Sequence, residues 1–219
     1  MSTLSSLLPE GIRVMVLEEN MSYFKFLITG PPDTPYEGGY FLFDMKLPSN
    51  YPLTPPSVLL ITTGSGTVRF NPNLYNEGKV CLSLLGTWQG EKWDPEFSNI
   101  NQVIQSICYL IFVENPYFNE PGYERTQGTP SGDLESRKYN SNIRVQTLKY
   151  AILDHLINPN IEFGSTILEF LKDSWNNTTS TNNKNNKLVY EKWANEEKEP
   201  EKSLILLSIK RIDAFLKEI

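Results

Sequence analysis

Two short runs near the start of the chain, 12–17 (IRVMVL) and 22–29 (SYFKFLIT), read as strands. A period of two puts Phe24, Phe26 and Ile28 on one side of the second. Glu18-Glu19-Asn20 between them reads as a polar turn. A third strand is predicted over 40–47, with Phe41, Phe43, Met45 and Leu47 on one face and Asp44 and Lys46 on the other. A short fourth follows at 58–62. Consecutive strands joined by short connections predict an antiparallel meander rather than βαβ units.

From 63 to 95 the periodicity dissolves, broken by Gly64, Gly66, Gly78, Gly86, Gly90, Pro72 and Pro95. A long irregular segment in a compact domain usually carries function. A helix is predicted over 99–113, with Ile100, Val103, Ile104, Ile107 and Ile111 at helical spacing. Cys108 falls on that same stripe and reads as a core thiol. After a loop rich in Pro and Gly at 115–132, helices are predicted near 133–157 and 161–175. His155 sits at the edge of the stripe of Val145, Leu148, Ile152 and Leu156, where a structural histidine is expected. The stretch 176–187 holds six Asn and four Thr or Ser among twelve residues, a low-complexity linker. A last amphipathic helix, about 201–219, carries Ile205, Ile209, Ile212, Leu216 and Ile219, and is expected to fold back on the helices before the linker.

Composition narrows the function. The net charge of −6 and the lack of any Lys/Arg block argue against nucleic-acid binding through a basic face. The apolar stretch at 97–113 is interrupted by polar residues and is not a membrane span. Two cysteines and one histidine are too few for a disulfide framework and a poor ligand set for zinc. With no signal-like amino terminus, a reducing cytoplasmic or nuclear setting is the expectation.

The candidate chemistry lies in the irregular segment. Cys81, in Gly78-Lys79-Val80-Cys81-Leu82, falls on no helix or strand stripe, so a solvent-accessible thiol is expected. Eight residues earlier, Asn71-Pro72-Asn73 would hold the Asn73 amide on a stiffened turn, where it could donate to the oxyanion of an acyl-transfer intermediate. No histidine lies nearby to act as a base, which disfavours a cysteine protease. Thioester exchange, with sulfur both entering and leaving, needs little proton transfer.

Tyr36-Glu37-Gly38-Gly39-Tyr40-Phe41, Tyr51-Pro52-Leu53-Thr54-Pro55-Pro56, Asn71-Pro72-Asn73, Gly78-Lys79-Val80-Cys81-Leu82 and Trp93-Asp94-Pro95 come in the order and spacing of the ubiquitin-conjugating enzymes. The chain resembles that family over about residues 11 to 156. Leu85-Gly86-Thr87-Trp88 and the run from Glu114 to Tyr123 resemble its large members most. The resemblance implies an α+β fold, a four-stranded antiparallel meander flanked by helices, with a catalytic domain over 1–157. Beyond it, periodicity alone predicts a helical extension over 158–219, interrupted by the Asn-rich linker at 176–187. The resemblance also implies that Cys81 carries ubiquitin or a ubiquitin-like modifier as a thioester and that Asn73 steadies the oxyanion as lysine attacks. Leu53 and Pro95 match ligase-facing loop positions, and Asn119 or Glu120 could stand at the acidic gateway position. The implied partners are the modifier, an activating enzyme, a ligase and substrate lysines. No cofactor, membrane or nucleic acid is implied, ATP being used by the activating enzyme, and a monomer is expected.

Departures from the family pattern are visible. Asn71 stands where the family usually has His, and Ser83 where Asp is frequent. The ligase loop reads Asp94-Pro95-Glu96 rather than Ser-Pro-Ala. Residues 1–11 contain no Lys or Arg, so the basic helix that usually docks the activating enzyme is expected to be replaced by other surfaces or to lie upstream. The alternative reading is a non-catalytic ubiquitin-binding variant, or an interaction module on the same scaffold.

Overall fold

The computed structural model describes residues 8–17, 20–175 and 185–219. The predicted turn residues Glu18 and Glu19, residues 1–7 and the Asn-rich stretch at 176–184 lie outside them.

Strands β1 (Ile12–Leu17), β2 (Asn20–Thr29), β3 (Tyr40–Lys46) and β4 (Ser57–Leu60) form one antiparallel sheet in the order β1-β2-β3-β4. The register sets Phe26 opposite Phe43 and Phe43 opposite Leu60. The Phe26 and Phe43 rings stack with centroids 4.8 Å apart. This row, with Ile28, Phe41 and Met45, meets Ile104, Ile107, Ile111 and Phe112 in a first core. Such cross-strand aromatic pairs are the contacts that fix sheet register.

The sheet is covered on both faces: Phe41, Phe43 and Met45 face the first core as expected, and the side that carries Asp44 and Lys46 is buried in part as well. Leu27, Tyr40 and Leu42 point away from the first core into a second, shared with Leu148, Ile152, Trp175 and Ile205. Asp44 on that side accepts a hydrogen bond from Tyr23.

Helix α1 (Ile100–Ser106) is shorter than the predicted 99–113. Asn99 opens it with a capping box closed by Gln102. It then widens into a π-helical turn at Ile107–Ile111. The wider turn keeps Ile107, Cys108 and Ile111 buried and turns Tyr109 and Leu110 outward. Helix α2 (Pro130–Leu148) starts before the predicted boundary, because Thr129 caps it by accepting from Gly132 and Pro130 suits a first helical position. A second π-helical turn (Lys149–Leu153) joins it to α3 (Asp154–Ile157). Ile143 and Ala151 of this run enter the first core, while Val145, Leu148 and Ile152 enter the second.

Helix α4 (Gly164–Trp175) is followed, beyond the undescribed stretch, by α5 (Asn186–Glu196) and α6 (Glu201–Glu218). Helix α5 was not anticipated and begins inside the segment read as a linker. Asn185 caps it by accepting the Leu188 N–H, the role in which Asn is a favoured residue. Ile205, Ile209 and Ile212 of α6 are buried in the second core with Trp175, Tyr190 and Trp193. Leu216 packs at its margin, whereas Ile219 lies past the helix end and is 57% exposed, so the predicted stripe stops one turn early. Asp213 of α6 accepts from Trp175 Nε1 and Lys187 Nζ, both at 2.7 Å. Among the described residues no helix is long and apolar enough to cross a membrane.

Candidate active site

The cysteine loop is built against the free edge of β4. Leu60 N–H donates to the Gly78 carbonyl at 2.8 Å, and Leu59 pairs with Lys79. Gly78 has φ +94°, and a Cβ there would stand 2.7 Å from the Leu60 carbonyl oxygen, so only glycine fits this crossing. Beyond it the chain pairs back on itself, Val80 with Leu74 and Leu74 with Asn71.

That pairing sets Asn73 beside Cys81. The Cys81 N–H donates to the Asn73 carbonyl at 2.8 Å, and Asn73 Nδ2 donates to the Cys81 carbonyl at 2.9 Å. Asn73 is held in turn by Asn71, whose Oδ1 accepts its backbone N–H at 2.8 Å. Asn71 is fully buried, and its Nδ2 donates to the Ile111 carbonyl at 2.8 Å and to the Tyr36 hydroxyl at 3.1 Å. The Tyr36 hydroxyl donates to the Phe70 carbonyl at 2.8 Å. The amide of Asn71 thus ties the 71–73 turn to the end of the π-helical turn and to the 36–39 turn.

Cys81 itself differs from expectation. It is 2% exposed, flanked by the buried Val80 and Leu82, because the loop is bridged into a strand-like hairpin rather than left open. Burial pushes its thiol above the ordinary value, with Lys79 and Arg69 pulling it down and Glu77 adding to the rise. Cys108 is buried in the first core, and burial raises its thiol too.

Asn119 and Glu120 both reach the 69–73 segment. Asn119 Nδ2 donates to the Leu110 carbonyl at 3.0 Å and approaches Asn71 Oδ1 at 3.4 Å. Glu120 pairs with Arg69 at 3.3 Å. The Arg69 guanidinium also donates to the Pro72 carbonyl at 2.6 Å and lies over the Tyr75 ring, 4.3 Å from its centroid. Residues 118–122 form one wall of a cleft of about 790 Å³ whose other wall is 86–89. Thr87, in that second wall, clasps both neighbours of Cys81. Its Oγ1 donates to the Val80 carbonyl at 2.8 Å and accepts the Leu82 N–H at 2.9 Å. Tyr36 and Thr87 fall inside the motifs quoted above, but the sequence assigns no role to them or to Arg69.

Leu53 is 71% exposed and Pro95 is exposed, each on its own loop. The loops are joined by Trp93, whose Nε1 donates to the Pro52 carbonyl at 2.7 Å and whose ring lies 5.8 Å from that of Tyr51. Phe97, two residues after Pro95, is also exposed. The single histidine takes no part: His155 Nε2 donates to the Tyr40 carbonyl at 2.8 Å, and burial lowers its pKa. Among the described residues no group of three or more His, Cys, Asp or Glu could hold a metal ion.

The fold and this cysteine–asparagine pair define a class. Residues 1–147 match the family described as "Ubiquitin-conjugating enzyme", and the chain belongs to that family of transferases. Its similarity runs to large members. It is 53% identical over 172 residues to the human "Dual E2 ubiquitin-conjugating enzyme/E3 ubiquitin-protein ligase BIRC6", covering 75% of this chain and 4% of that protein. It is 53% identical over 164 residues to the "Probable ubiquitin-conjugating enzyme protein 17" of Caenorhabditis elegans, covering 74% of this chain and 22% of that one. It is also 53% identical over 148 residues to "Ubiquitin-conjugating enzyme E2 Z" of Danio rerio, covering 68% and 43%. The chain therefore spans less than half the length of each of these relatives.

Proposed function

We propose that Cys81 accepts ubiquitin or a ubiquitin-like modifier from an activating enzyme and passes it to a substrate lysine or a ligase cysteine. The Cys81 thiolate attacks the carbonyl carbon of the incoming thioester and expels the activating enzyme's sulfur. In discharge to lysine, the neutral amine attacks the same carbon, the bond from that carbon to Cys81 Sγ breaks with the sulfur leaving as thiolate, and the attacking nitrogen gives up one proton to water to become the amide. The observation that carries this reading is the reciprocal hydrogen bonding of Asn73 and Cys81. It holds an amide donor within one residue's reach of the bond that breaks, where a second N–H can meet the developing oxyanion.

The exposed loops at Leu53 and Pro95, fixed to each other by Trp93, are the expected ligase contact. Asn119 and Glu120, anchored on Asn71 and Arg69, border the path by which an acceptor lysine would arrive. No cofactor is called for. The burial of Cys81 is the observation that favours the second reading, a scaffold that binds the modifier without loading it. Mixing the full chain with activating enzyme, ATP and ubiquitin, then running a non-reducing gel, separates the two. A thiol-sensitive adduct lost in Cys81→Ala supports the first reading, and its absence the second.

A further inference from the structure

The first core and the second lie on opposite faces of the sheet, and the 36–39 turn is where they are stitched together. The Tyr36 side chain is fully buried in the first core and reaches Phe70 and Asn71. The backbone on either side of it is gripped by α2 and, from the second core, by α5. Thr147 Oγ1 of α2 donates to the Pro35 carbonyl at 3.1 Å, and the Tyr190 hydroxyl of α5 donates to the Glu37 carbonyl at 3.1 Å. Tyr190 is itself immobilised, fully buried between Trp175 and Trp193 with ring centroids 5.8 and 5.1 Å away. The approach is close enough to dictate sequence. A Cβ on Gly38 would come within 2.8 Å of Asn186 Nδ2 and collide with Tyr190, and one on Gly39 would stand 2.6 Å from Thr147 Cγ2.

We propose that Tyr190 is a positioning residue for lysine discharge, holding Tyr36, and through it Asn71 and Asn73, from the far side of the sheet. Tyr190 lies beyond the residues matched by the family, so the helical extension adds a support to the site that the family domain does not itself contain. This rests on the reading of Cys81 and Asn73 given above. A tyrosine hydroxyl clamped on a carbonyl sets the height of the turn, and the neighbouring Tyr36 hydroxyl transmits that height to the buried Asn71 amide. Asn71 in turn fixes the Asn73 backbone. Loading should not depend on this support, because it exchanges one sulfur for another within the complex with the activating enzyme.

The test is a double-mutant cycle on the full chain, loaded with ubiquitin and discharged to free lysine in single turnover. Tyr190→Phe removes the hydroxyl alone and should slow discharge about three- to tenfold, the worth of one hydrogen bond, while leaving loading unchanged. Asn73→Ala should slow discharge by more, and adding Tyr190→Phe to it should cause no further slowing. Thr147→Val, which removes the second grip, should behave the same way and serves if Tyr190→Phe lowers the folded fraction. Discharge at the wild-type rate in both single variants, with Asn73→Ala slow, overturns the proposal alone. So does a Tyr190→Phe effect of equal size in the Asn73→Ala background, which would mark a merely structural role. If Asn73→Ala discharges normally, the reading of Asn73 falls and the proposal with it.

Discussion

Replacing Asn71 with leucine tests the site's internal support. The side chains are of similar size, so little cavity is created and the cost is carried by hydrogen bonds. Three contacts of 3.1 Å or less are lost: from Nδ2 to the Ile111 carbonyl and to the Tyr36 hydroxyl, and from the Asn73 N–H to Oδ1. The Tyr36 hydroxyl keeps its donor bond to Phe70, so its loss is small. The Ile111 carbonyl likewise keeps the Val113 N–H at 2.9 Å, so the main cost falls on the Asn73 N–H, left without this partner at a buried position, at about 1–3 kcal/mol. A loss of about 1–3 kcal/mol is a substantial part of the stability of an ordinary domain. Asn71→His restores one donor and one acceptor and should recover at least half of it. Urea unfolding of the full chain, followed by tryptophan fluorescence, measures both variants, and discharge of the folded fraction is read in parallel. A loss below 1 kcal/mol in Asn71→Leu with normal discharge would refute the view that this amide holds the site together.

Other outcomes follow from burial and charge. Cys108→Ala should cost on the order of 1 kcal/mol by denaturant melts, since it removes a buried sulfur from a closed core, and should load as the wild type does. In that background, alkylation of Cys81 by iodoacetamide should rise about tenfold per pH unit from pH 7 to 8.5, because burial holds the thiol above its usual range and the thiolate is the reactive form. A plateau below pH 8 would show a depressed thiol instead. Ile209→Ala, in the middle of the buried stripe of α6, should lower stability by roughly 2–5 kcal/mol. An unchanged melt would mean that α6 is not held as described.

The meander was legible because the second and third strands keep a period of two and no helical pattern interrupts the four strands. What the pattern could not say was that Leu27, Tyr40 and Leu42, on the other side of the same strands, would be buried as well. Coverage of that face comes from residues more than a hundred positions downstream, a fact of tertiary packing that no local window contains. Helix α5 was missed for a different reason: Asn-rich composition masked a stripe of Tyr190, Trp193 and Ala194 at helical spacing, and the asparagines act as its cap and as a buried contact. The π-helical turn at Ile107–Ile111 kept the buried register of the predicted stripe while ending it early. At the candidate site, motif spacing pointed to Cys81 and Asn73, which the structure brings together, but not to the depth at which Cys81 sits. That depth depends on pairing between Leu74 and Val80, which alternation cannot report in so short and glycine-rich a segment. Thr87 and Arg69 act through backbone carbonyls, and such contacts leave no mark on residue pattern.

The most direct test of the central claim is the site of modifier attachment. The full chain, charged with activating enzyme, ATP and ubiquitin, is digested without reductant and the linked peptide identified by mass spectrometry. The account predicts a thioester on Cys81 alone, cleaved by thiol, and a thiol-resistant ester on the same residue in Cys81→Ser. Attachment at Cys108 or at a lysine with Cys81 free, or no attachment to a folded protein, would contradict it.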